Sequence, residues 1–388
     1  GGFVLTATTL VNNDTLRMLG SEAAVNITTM DTDTGTVEYV GRNIAETLTV
    51  KDFGASDYYN LTFNDTNINK ATFLLAAALD VNGTLALTLG TLDVSATLYG
   101  INVAGSWTDT GAGAFTERTG TVTFDGTGTV NSNEAFYGVT VNSAGTVTLG
   151  AALDVDGSLT ITTGTLTVSG SSFGITVAVN WSNSGTFTAQ SGTVTLDGTT
   201  AQGLSGTMTT TSAFYNLTIT NAFGTIASDC ERTAWVAGVD FNAAATVTNN
   251  YVATTASSKI EYNSGSTYTF ANINWNGQAV GTPIYFRNSA ITGTWLLNVT
   301  AIGNAQTRVS YVNVSRSDAS GGATIIASDG TNTDCGTNTN WQFDETLTLS
   351  LDSTSKNFGT VTPGSNPSDQ ISTLTATSNA STGYVIYA

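Results

Sequence analysis

Tyr58-Tyr59-Asn60-Leu61-Thr62-Phe63 returns as Phe136-Tyr137-Gly138-Val139-Thr140-Val141 and again as Phe214-Tyr215-Asn216-Leu217-Thr218-Ile219. Tyr59, Tyr137 and Tyr215 stand at one constant interval along the chain. Further matches fall between these anchors. Ala78-Leu79-Asp80-Val81-Asn82-Gly83-Thr84-Leu85 answers to Ala152-Leu153-Asp154-Val155-Asp156-Gly157-Ser158-Leu159, and Trp107 to Trp181. Gly120-Thr121-Val122-Thr123-Phe124-Asp125-Gly126 answers to Gly192-Thr193-Val194-Thr195-Leu196-Asp197-Gly198. Inside each copy, short apolar/polar alternations such as Thr146-Val147-Thr148-Leu149 put one face inward and the other toward water, the period of a strand. Runs this short cannot bury an apolar face alone and must stack on their neighbours.

Two architectures accommodate this pattern. Asn82-Gly83, Asp125-Gly126, Asp156-Gly157 and Asp197-Gly198 each separate two alternating runs, as tight antiparallel hairpins require. The same residues serve the corners of a parallel β-helix, because they accept left-handed backbone angles at low cost. The long uninterrupted repeat and even spacing favour the solenoid over antiparallel sandwiches. The chain is therefore expected to be all-β, a right-handed parallel β-helix with a small, incomplete β-sandwich module at its C-terminal end.

The segment pattern Tyr-Asn-Leu-Thr, Ala-Leu-Asp-Val-Asn-Gly-Thr-Leu, Gly90-Thr-Leu-Asp-Val-Ser95, Trp and Gly-Thr-Val-Thr-Phe-Asp-Gly resembles the repeats of large secreted bacterial surface proteins with parallel β-helix, filamentous-haemagglutinin-like stalks. Gly281–Ser289, Val309–Ser315 and Asn338–Phe343 resemble the closing part of such stalks. Phe358-Gly359-Thr360-Val361-Thr362-Pro363-Gly364 is similar to the opening of immunoglobulin-like surface modules, although 344–388 is too short for a full sandwich of about seven strands. The expected organisation is an N-terminal strand and partial repeat at 1–56, repeats at 57–135 and 136–213, a degenerate repeat at 214–343 and a partial immunoglobulin-like module at 344–388. The resemblance implies an extracellular, secreted or surface-attached protein.

Composition narrows the function further. Of 388 residues, 11 are basic and 29 acidic, giving a net charge of −18, and there is no histidine. Nucleic-acid binding needs a basic footprint, and an anionic membrane surface would repel this chain. No apolar run approaches the roughly 20 residues that span a bilayer. Without histidine, Ser-His-Asp and Cys-His catalysis and the common zinc sites are excluded. Thr makes up about a fifth of the chain, which suits pleated surfaces. The opening Gly1-Gly2 reads as a processed product or an excerpt.

The candidate sites are few. Cys230 and Cys335 are an even pair, expected to form a disulfide in an oxidising compartment. Asp31 and Asp33, and Asp329 and Asp334, space oxygen ligands as calcium loops do, but neither stretch fits the full pattern and ordinary turns explain them better. No other cofactor is expected. The place of Trp107 and Trp181 inside the repeat favours core or corner packing over a sugar-stacking platform on one face. The ten Asn-x-Ser/Thr sequons match chance in so Thr-rich a chain. At the ends, Phe3, Val4, Leu5 and Leu10 form an apolar strand, and Tyr384, Val385 and Ile386 close an apolar run. Insertion of the first strand into the open sheet of a neighbouring copy would join subunits head to tail; the competing reading makes residues 1–11 the first rung of the helix. The expected function is a non-enzymatic, self-assembling fibre or stalk subunit. An adhesin stalk that binds surface glycans and a carbohydrate-active β-helix enzyme are the alternatives.

Overall fold

The computed structural model describes residues 4–54, 57–109, 111–232, 234–301 and 308–344, and beyond these 347–352, 355, 363–364 and 373–378. The chain is a parallel β-solenoid of about 15 turns. Its only helical element among the described residues is a 3-10 turn at Thr210–Ser212.

The winding begins with β1 (Val4–Thr9), β2 (Thr15–Met18), β3 (Ala24–Thr29) and β4 (Thr36–Tyr39). β1 pairs in parallel with β3, and β2 with β4. The same rule continues along the chain: each strand pairs with the strand one turn later, never with its sequence neighbour through a tight hairpin. Leu79–Val81 and Leu85–Asp93 flank Asn82-Gly83, yet the first pairs with Ile101–Val103 and the second with Trp107–Asp109. The Asn-Gly and Asp-Gly steps are therefore corners. Gly128 shows why some corners admit no side chain: it lies above Gly105, which lies above Gly83, and a Cβ on Gly128 would run into the Gly105 carbonyl.

Alternation fills a single core. Leu61, Leu85 and Trp107 stack in register, as do Val122, Val139 and Leu159, and all are buried. At about 25 cal/mol per Å² of apolar surface removed from water, each such Leu or Val contributes roughly 1.5–3 kcal/mol. Trp107 packs edge-on against Phe115 and Phe136, and Trp181 packs edge-on against Phe187 and at a tilt against Phe214. Both indoles are at most 1% exposed, so they are core residues and form no external sugar platform.

The sequence repeat is not the structural repeat. Tyr58 stacks on Val81, then on Val103, Phe124 and Val141. Its counterpart Phe136 lies between Phe124 and Val141 along the chain and stacks instead on Val155. The repeat interval therefore wraps three turns and part of a fourth, and each copy starts on a different side of the solenoid.

Rung length changes after the second copy. The rungs from Val122 to Val139 and from Leu61 to Leu85 are short. Those from Leu204 to Phe241 and from Leu217 to Tyr251 take in far more chain before the strand returns to its ladder. The core there is aromatic: Phe241, Tyr262 and Trp295 stack face to face, and the Tyr251 and Tyr262 hydroxyls hydrogen-bond at 3.0 Å. Beyond the solenoid, Leu347–Leu351 and Leu374–Ser378 form an antiparallel pair. The remaining strands expected in 344–388 lie outside the described residues.

Candidate functional site

The longest excursion from the solenoid runs from Ile219 to Val239. It turns at Gly224, whose φ of +102° suits glycine, and closes on itself through an antiparallel bridge between Thr225 and Val236. From this strap Cys230 reaches Cys335, to which it is joined by a disulfide as the residue count led one to expect. The ladder beneath runs from Val239–Phe241 through Lys259–Tyr262, Ile284–Asn288 and Val312–Val314 to Thr333–Asp334. The disulfide thus ties a loop that leaves at the first of these rungs to the last of them.

Charged and aromatic side chains gather under the strap. Arg287 is fully buried; its guanidinium donates to the Phe286 and Asn313 carbonyls at 2.9 Å and to Asn313 Oδ1 at 2.6 Å. The Trp235 and Tyr285 rings lie 5.4 and 5.7 Å from its central carbon, in cation–π range. Burial pushes its pKa down to about 10, with Arg232 adding to the effect. Glu261 accepts from Trp235 Nε1 at 2.6 Å and from Arg232 at 3.2 Å, and Arg232 also donates to the Ser289 carbonyl. Asp240, next to Glu261 in the ladder, is pushed up to about 6 by burial and then by the Glu261 charge. Burial pushes the Tyr285 phenol up and the Asp229 carboxylate adds to this, while burial lowers Lys259. These contacts hold the strap to three rungs, so the arrangement is a clamp. None of the cluster besides the cysteines was singled out from the sequence. The lengthened spacing after Ile219, coinciding with Cys230, was the available signal.

The other candidates fall elsewhere. Asp31 Oδ2 accepts from the Asn12 N–H at 2.7 Å, and Oδ1 from the Asp33 and Thr34 N–H groups. A hydrogen bond with Asp33, then that from Asn12, holds Asp31 well below the usual carboxylate range and raises Asp33. Asp329 accepts from Ser310, Thr331 and Asn332, and Asp334 from Gly336 and Asn338. Both loops use these carboxylates to close turns. No group of three or more Cys, Asp or Glu residues is placed to hold a metal ion among the described residues.

Val4, Leu5 and Leu10 belong to the first rung. Val4 pairs with Ala24 and Leu5 with Val25, while Leu5 and Leu10 pack against the core. β1 is therefore a rung of its own chain, and donating it to another copy would first strip it from β3. Phe3, Tyr384, Val385 and Ile386 lie outside the described residues.

A recess of about 250 Å³ opens on the second copy and is lined by Thr121, Tyr137, Gly138, Gly157, Ser158 and Val179 among others. No helix among the described residues is long and apolar enough to cross a membrane. Comparisons with protein-family models, curated proteins and solved structures found no match, so the reading of these sites rests on their residues and geometry.

Proposed function

We propose that this protein is a non-enzymatic structural rod of an extracellular fibre or stalk whose copies join end to end. The observation that carries the reading is the run of about 15 parallel turns around one continuous core. Stacked turns supply length and stiffness, with each unit held by its neighbours. The disulfide suits an oxidising, extracellular setting.

The joint that best fits the pairing is augmentation at the outer edge of β1, which pairs only with β3 among the described residues. Main-chain hydrogen bonds along such an edge accept a further strand. A contact of this kind is heterologous and propagates into a filament. This keeps β1 in place, where strand exchange would sacrifice its own ladder. Negative-stain microscopy should show fibres of uniform width, and deletion of residues 1–11 should leave monomers. Discrete rods at every concentration would overturn the reading.

A further inference from the structure

The three sequence copies place one residue at the same point of the repeat: Asn60, Gly138 and Asn216. Each donates its backbone N–H one rung back to a glycine carbonyl, Gly35, Gly120 and Gly192 respectively, at 3.1–3.2 Å. In the first copy the Asn60 carboxamide then bridges rungs. Its Oδ1 accepts from the Thr84 N–H at 2.8 Å, and its Nδ2 donates to the Gly35 carbonyl at 3.0 Å. In the third copy Asn216 Oδ1 accepts from Asn249 at 2.9 Å, and its Nδ2 donates to Thr193 Oγ1 at 3.3 Å.

In the second copy Gly138 brings no side chain to this position. The surrounding groups are retained: Gly120 and Thr121 stand for Gly35 and Thr36, and Ser158 stands for Thr84. Gly157 matches Gly83, where a Cβ would collide with Asn60 Oδ1, so access for a carboxamide is preserved as well. The result is the solvent-facing recess of about 250 Å³, bordered by Tyr137, Thr140, Thr160 and Val179 in addition. No charged side chain lines it.

We infer that this recess is a binding site for an N-acetylhexosamine unit of a glycan. A trans acetamido group presents its carbonyl and its N–H in opposed directions, as Asn60 does between its two rungs. Its carbonyl accepts from the Ser158 N–H, and its N–H donates to the Gly120 carbonyl or Thr121 Oγ1. Val179 offers the methyl an apolar contact. The Tyr137 ring and the hydroxyls of Thr140, Ser158 and Thr160 suit a pyranose, which combines apolar C–H faces with hydroxyls. The volume is below the roughly 300–1,000 Å³ of sites for drug-sized ligands, so it holds one ring. The inference goes beyond the rod reading, since fibres form or fail without reference to this recess.

The test is titration of the full chain with N-acetylglucosamine and its β-linked dimer, with glucose and cellobiose as controls, followed by NMR or calorimetry. Saturable binding of the acetamido sugars, at least tenfold tighter than the controls, is expected. Gly138→Asn, which supplies the carboxamide of the sibling copies and turns aside Thr121 Oγ1, 2.7 Å from the new Cβ, should abolish it. Val179→Trp, which narrows the recess from the other side, should do the same and decides the matter if Gly138→Asn impairs folding. Equal response to glucose, no binding, or affinity untouched by both blocking substitutions would overturn the assignment.

Discussion

The two repeat copies at 57–213 and the solenoid that follows at 214–343 build the same ladder by different means. The first region advances by short rungs over a largely aliphatic core with a tryptophan cluster in each copy, and its buried polar groups include Asp65, Asp93 and Gln202. The second includes longer rungs, above all the one that carries the strap, fills its core with stacked Tyr, Trp and Phe, and buries Arg287, Lys259 and Asn313 beneath that strap. A regular stack is stabilised by its neighbours at every rung. Where the chain departs from regularity, the interactions lost to the longer loop are offset by a covalent tie and by the contacts that Arg232 and Trp235 make with Glu261 and Arg287. Regularity and latching are two ways of keeping a rung from unzipping.

That contrast breaks most sharply at the disulfide. Cys230→Ser, or reduction by a dithiol, removes the closure of a 105-residue loop, which is worth about 4–5 kcal/mol in the chain-entropy model. Hydrogen exchange should accelerate at 222–343 and stay unchanged at 57–213; uniform protection throughout would show that the strap clamps nothing. Next in size, Trp181→Ala should cost about 3–5 kcal/mol in denaturant unfolding, because the cavity opens beside Phe187 and Phe214. Gly128→Ala should cost about 1–3 kcal/mol by pushing apart the stacked corners, a strain the same change at the open Gly281 would not produce.

A smaller effect comes from pH. Asp57 and Asp240 both sit near 6, above the 3.8 of a free Asp, because burial disfavours their charge. A carboxyl raised in this way contributes stability that is complete below about 4 and is lost as pH rises through about 6. Asp240→Asn should flatten that loss in the latched half alone, as read from melting temperatures at pH 4 and pH 7. The smallest effect tests the two copies against each other. Arg118 forms a two-pronged ion pair with Asp93 in the first, where the second has Gln190 and Thr167. Replacing both together as Asp93→Thr and Arg118→Gln should cost roughly 0–1 kcal/mol, with most of it in the coupling between them, since the pair is partly solvent-exposed.

Much of the fold was legible because alternation and corner residues are local signals. Thr146-Val147-Thr148-Leu149 reads as a strand without its partners, and Asp156-Gly157 reads as a turn. Whether that turn is a hairpin or a corner depends on which strand lies alongside, a contact one full rung away that no local pattern records. For the same reason the constant interval between Tyr59, Tyr137 and Tyr215 concealed a non-integral number of turns, and Val4 and Leu5 read equally well as a rung or as a donated strand. The disulfide was legible as a residue count, but its role was not. Arg287, an ordinary surface residue by composition, becomes buried only because Trp235 folds over it from a loop several strands earlier. The recess at Gly138 was present in the aligned copies as a missing Asn, yet it acquires meaning only once Asn60 is seen bridging rungs.

The most direct test of the central claim is cryo-electron microscopy of the concentrated protein. A rod of about 15 turns at 4.7–4.9 Å per rung is roughly 70 Å long. The account predicts fibres in which that rung spacing continues without interruption across each junction, with β1 of one copy against the far end of the next. Separate rods of a single chain's length at all concentrations, or fibres joined side by side, would contradict it.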